Sequence, residues 1–154
     1  MSRMKRSVLD TCCVVVVLSL CFFLSPVLSQ NSANYKGLAY CKMCHAEKFN
    51  GWQQARHAKA LDSLKKTNQH DLPECVKCHV TGYGQSGGFI DSELTPEMGG
   101  VQCEACHGPG SRHTGGKKDI VAVPGEDTCR QCHTVGQDPK FDYKRKAVEV
   151  HGPR

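Results

Sequence analysis

Apolar and polar residues alternate in long blocks along the 154-residue chain, and each block predicts a different kind of backbone. Residues 14–24 form an apolar core behind a basic start of Arg3, Lys5 and Arg6, and Ser25, Pro26 and Ser29 end it with a helix breaker and small residues. The core is shorter than the ~20 residues that span a bilayer. Residues 1–29 therefore read as a secretory signal peptide rather than an anchor, and no cysteine follows the expected cut for lipid attachment. Residues 44–66 carry the best helical pattern, rich in Ala, Lys, Leu and Gln with no Gly or Pro after Gly51. On a helical wheel His57 shares a face with Ala46, Ala60, Leu61 and Leu64, so the imidazole is expected inside.

Beyond a polar break at 67–73, residues 81–100 hold six glycines and Pro96, which predicts irregular, mobile backbone and no regular strand. Gly108-Pro109-Gly110 marks a sharp turn, Gly115-Gly116 ends the segment carrying His113, and residues 138–154 form a charged, loosely attached tail. The expectation is a mainly α protein with extensive loops and little or no sheet, its domain at 30–137 between signal peptide and tail.

The chemistry lies in a pentapeptide that occurs four times. Cys41-Lys42-Met43-Cys44-His45, Cys75-Val76-Lys77-Cys78-His79, Cys103-Glu104-Ala105-Cys106-His107 and Cys129-Arg130-Gln131-Cys132-His133 all read Cys-x-x-Cys-His. Two thiols one helical turn apart can form thioethers with the two vinyl groups of a haem, and the next residue puts an imidazole under the iron. Paired cysteines alone also suit four-cysteine zinc sites, but zinc has no use for a histidine after every pair. A thioredoxin-like motif occurs once per domain beside a βαβ pattern that is not visible here. The reading is four covalent c-type haems, with His45, His79, His107 and His133 as proximal ligands.

Composition agrees. Cys12, Cys13 and Cys21 leave with the signal peptide, and the other eight of the 11 cysteines all lie in the four motifs, so none remains for a disulfide. The formal charge of +5 falls to about +3 once Arg3, Lys5, Arg6 and Asp10 are removed. About eight haem propionates would take the loaded protein to roughly −5, so the basic balance is no argument for nucleic-acid binding. Roughly thirty residues of chain per haem are too few for a protein core around each cofactor. The porphyrins are expected to form most of the apolar interior, and the apoprotein to be largely unfolded.

Four of the eight histidines lie outside the motifs: His57, His70, His113 and His151. That number matches one second axial ligand per iron, a closed coordination suited to electron transfer. His57 has the apolar helix face. His113 is too near His107 to reach back to the same iron but well placed for a neighbouring one. His70 sits in the polar break, and His151 in the tail could close a haem of its own chain or of another protomer. Met98 is the one plausible sulfur ligand, its alternative role being a flexible filler against porphyrin.

Cys41-x-x-Cys44-His45 followed by Phe49, Gly51-Trp52 and Arg56-His57-Ala58, then Cys78-His79-Val80-Thr81-Gly82-Tyr83-Gly84, then Gly100-Val101-x-Cys103-x-x-Cys106-His107-Gly108-Pro109-Gly110 and a closing motif, resembles the tetrahaem cytochrome c-554/c-prime family. The resemblance spans residues 40–133. It implies a small multihaem cytochrome fold of helices and loops around closely paired haems, with His57 opposite His107 and His113 opposite His133. The family's best-known member leaves its second haem five-coordinate and draws a ligand for the first from between motifs two and three. No histidine lies between His79 and His107 here, so His70 and His151 become the candidates, and the haem at His79 is the one most prone to stay open. The resemblance further implies a periplasmic or secreted carrier passing electrons between redox protein partners, with no stable membrane insertion. Two other functions are compatible with the residues: reduction of a small nitrogen compound at an open iron, and a protomer of an extracellular filament joined through His151.

Overall fold

The computed structural model describes residues 33–113 and 119–151; the expected signal peptide at 1–29 lies outside them. In chain order the helices are α1 (Leu38–Lys42), α2 (Ala46–Gln54), α3 (Ala60–Lys65), α4 (Pro73–His79), α5 (Cys103–His107), α6 (Glu126–Arg130) and α7 (Tyr143–Lys146). Single 3-10 turns at Arg56–Lys59, Pro96–Met98 and Gly110–Arg112 fill the gaps. Among the described residues extended pairing is limited to one isolated antiparallel bridge between Val80 and Gly99. The mainly helical, loop-rich expectation with little or no sheet holds.

The long helix read over 44–66 is broken. Ala55 is extended at φ −75° and ψ 157°, so α2 ends at Gln54 and the chain restarts as a 3-10 turn before α3. Residue type alone gave no warning, since alanine favours helix. Tertiary hydrogen bonds account for the break: Trp52 Nε1 donates to Val101 O at 2.8 Å, and Val101 N donates to His57 O at 2.9 Å. The backbone from Trp52 to His57 is thereby fastened to the strand-like lead into α5.

Apolar packing centres on α3 and α4. Leu61, Leu64, Val76, Val80, Phe89 and Met98 form one buried cluster, with Tyr35 and Cys75 against its edge. The Gly-rich stretch supplies two of these side chains and is pinned rather than loose. Thr81, wholly buried, donates its hydroxyl to Gly100 O and accepts from Gln102 N, while its backbone pairs with Met98 and Phe89. Gly100 has φ +81°, and a Cβ there would lie 2.9 Å from Ala58 O, so only glycine lets the loop close against the His57 turn.

The charged segment from 138 is likewise fastened. Asp142 caps α7 by accepting from Arg145 N, Tyr143 donates to Pro124 O at 2.8 Å, and the Arg130 guanidinium lies 4.7 Å over the Phe141 ring. Its high charge predicted solvation, but one aromatic and one tyrosine hydroxyl are enough to dock it.

Candidate haem centres

Each Cys-x-x-Cys-His copy folds as one helical turn. α4 and α5 contain theirs, whereas the first and fourth run past the ends of α1 and α6, where His45 N donates to Cys41 O at 3.0 Å and His133 N to Cys129 O at 2.9 Å. That bond sets residues three and four apart on one face, so both thiols and the imidazole of a motif address the same space. All eight cysteines, Cys41, Cys44, Cys75, Cys78, Cys103, Cys106, Cys129 and Cys132, are free of disulfides.

Three of the motif imidazoles are oriented from behind. His79 Nδ1 is 2.8 Å from Ala60 O, His107 Nδ1 is 2.6 Å from Val121 O, and His133 Nδ1 is 2.9 Å from Asp138 Oδ2. Each acceptor requires the proton on Nδ1, leaving the Nε2 lone pair to face a metal.

Opposite three of the four motif histidines stands a second imidazole. His45 and His113 are stacked with ring centres 6.3 Å apart, His107 and His151 are stacked at 6.3 Å, and His57 meets His133 edge-on at 6.0 Å. An atom held by two imidazole nitrogens at about 2 Å each would set ring centres about 6 Å apart. Burial, and then the neighbouring His133, pushes the His57 imidazole below its usual range; burial, His107 and Lys48 do the same for His151. Both are thus held neutral, the form that ligates.

These pairings correct two that the resemblance implied. His57 faces His133 and not His107, whose face is taken by His151. With Ala55 extended, the wheel that aimed His57 does not apply. His113 faces His45 and not His133 because its turn is tied to α1 and the segment leading into it. Asn34 N donates to Ser111 Oγ at 2.7 Å, Ser111 N donates to Asn34 O at 3.2 Å, and Tyr40 donates to His113 O. His70 stands apart, with Nε2 3.6 Å from the Asp71 carboxylate. Among the described residues neither His70 nor His79 faces another histidine ring. Met98 is buried in the apolar cluster, which is the filler role.

Sequence reading passed over Glu104, the residue that assembles this corner. Almost fully buried, its carboxylate accepts from Lys36 N at 2.9 Å, from Gly37 N at 2.7 Å and from Gly110 N. One side chain inside motif three thereby holds the lead into α1 and the turn that presents His113. The signal was an acidic residue at a variable motif position, which carries no information until its backbone partners are known.

Motif thiols also meet across the chain. Cys41 shares a hydrogen bond with Cys103; that bond, and then burial, raises Cys41, while the same bond holds Cys103 down to about 7 against the upward push of burial. Cys132 is pushed up to about 12 by burial and by its bond with Cys78. Motif one therefore adjoins motif three, and motif two adjoins motif four.

Unpaired thiols in vicinal turns, imidazoles anchored at Nδ1, and facing rings at the span of a shared metal are the donor set haem iron and vinyl groups require. The fold and these centres define a multihaem cytochrome of the c type. The model for cytochrome c554 and c-prime matches residues 40–108, and the doubled CXXCH motif matches residues 95–138. A cytochrome c-554 of Nitrosomonas europaea is 32% identical over 142 residues, covering 77% of this chain and 59% of that protein. The multiheme cytochrome MtrA of Shewanella baltica is 34% identical over 82 residues, which is 43% of this chain and 23% of that one. A solved structure of reduced cytochrome c554 from Nitrosomonas europaea superposes with a TM-score of 0.61 at 27% identity, covering 79% of this chain and 85% of that one. The chain belongs to the cytochrome c554 and c-prime family.

Proposed function

We propose that this chain is a four-haem electron carrier working in the periplasm or outside the cell, relaying electrons between redox protein partners. Bound haem supplies reversible one-electron chemistry at iron. The eight motif cysteines tether the cofactors, His45, His79, His107 and His133 hold the proximal side, and His113, His151 and His57 close the first, third and fourth sites. The observation carrying this reading is the set of three facing imidazole pairs at 6.0–6.3 Å. Closed coordination leaves no room for substrate and changes little between oxidation states, which favours transfer over catalysis. Export is supported by the leader-like residues 1–29 and by the use of every remaining cysteine for haem. Among the described residues no helix is long and apolar enough to cross a membrane. His151 faces His107 of its own chain, which favours a self-contained particle over a filament.

A second reading attaches to His79, which no histidine faces among the described residues. An iron there would keep one position for a small nitrogen compound. Electron paramagnetic resonance of the oxidised holoprotein separates the cases. Three low-spin irons and one high-spin iron are expected, with His57→Ala, His113→Ala and His151→Ala each converting one more to high spin and His70→Ala converting none. Four low-spin irons, one of them lost in His70→Ala, would overturn the assignment at His79 and with it the second reading.

A further inference from the structure

The four motif histidines are alike in sequence but not in what holds them. His79 and His107 give their Nδ1 protons to backbone carbonyls of Ala60 and Val121, neutral acceptors. His133 gives its own to a carboxylate, Asp138 Oδ2, at 2.9 Å. The same imidazole is flanked by the Phe141 ring, centred 4.5 Å away at an interplanar angle of 22°. Phe141 is in turn held under Arg130, whose guanidinium also donates to His133 O and to Glu126. The turn from motif four through Phe141 thus fixes the ring plane and aims one anion at its rear nitrogen.

We propose that Asp138 is a tuning residue that lowers the reduction potential of the haem ligated by His133 relative to that haem with a neutral acceptor at the same nitrogen. The proposal rests on the ligation of iron by His133 and His57. A carboxylate draws the Nδ1 proton more strongly than a carbonyl does, so Nε2 donates more electron density. A stronger donor and a nearby negative charge both favour the more positive, oxidised iron. Both effects act in the same direction. The haem at His133 is then the more reluctant acceptor, and the chain acquires an electrical polarity that its repeated motif does not show.

Spectroelectrochemical titration of the holoprotein, paired with electron paramagnetic resonance, tests this with Asp138→Asn, which keeps an acceptor oxygen but removes the charge. One of the four potentials should rise by the equivalent of at least a tenfold change in the reduction equilibrium, about 59 mV for a one-electron couple. One low-spin signal should change its g values without losing intensity. Asp138→Glu, which restores the charge, should move that potential back, and Asp127→Asn, which removes a charge from α6 just ahead of the His133 turn, should leave it in place. Unchanged potentials in Asp138→Asn with all low-spin signals intact would overturn the proposal while leaving His133 ligation standing. An equal rise in Asp127→Asn would overturn it too, as a general field effect. Failure of the ligation itself would show differently: His57→Ala would then leave every low-spin signal unchanged.

Discussion

Glu104 shows how one residue can hold two separate segments that present candidate histidine ligands without being a candidate ligand itself. Its carboxylate is buried among backbone N–H donors from two separate segments, and hydrogen bonds to a charged group are worth roughly 1.5–3 kcal/mol each when a partner is left unsatisfied. Glu104→Ala should lower the unfolding free energy of the holoprotein by about 3 kcal/mol, measured by guanidinium titration followed in the haem absorption band. The same variant should broaden or shift the low-spin signal assigned to the His45 and His113 pair, because the Gly110–Arg112 turn loses its anchor. Glu93→Ala, on an exposed side chain whose own loop contact is made by backbone nitrogen, should do neither.

The elements here are short, and their ends matter more than their interiors. Gly100 illustrates the point, since its φ of +81° and the nearby Ala58 carbonyl leave no place for a side chain. Gly100→Ala should cost about 1–2 kcal/mol from the left-handed backbone alone, with further loss from crowding, read as a fall in thermal midpoint. Gly125→Ala is the matched control: its φ is −81° and nothing lies within 4 Å of the added methyl, so its midpoint should stay level or rise slightly. The distinction between legible and illegible features falls along the same line. Thioether chemistry acts over three residues and is therefore written as a fixed spacing, so the four Cys-x-x-Cys-His motifs could be read directly. A second axial ligand arrives through tertiary contacts, and nothing in the residues around His57 or His113 encodes the bonds of Val101, Asn34 and Glu104 that aim them. Phe89 and Thr81 were hidden for a related reason, being core residues set in a glycine-rich loop whose composition suggests exposure.

At the scale of the whole molecule, buried apolar side chains are few. Among the described residues they are Trp52, Leu61, Leu64, Val76, Val80, Phe89 and Met98, gathered mostly about α3 and α4. Among the described residues the segments carrying motifs three and four have no comparable cluster of their own. Cofactor attachment should therefore supply folding free energy there, as metal does in small domains. Chain produced without haem attachment should show far-UV circular dichroism of a largely disordered protein and rapid proteolysis, and a folded apoprotein with a cooperative thermal transition would contradict this.

The three facing pairs share one property along the chain. His45, His57 and His107 all precede Gly108, and His113, His151 and His133 all follow Pro109. Joined through iron, they would act as three rivets across a single seam, every one of them crossing the Gly108-Pro109 turn. A protease nick at that turn would then release neither half: the two fragments should travel as one coloured particle on a sizing column and part only when acid or excess imidazole takes the rivets' place.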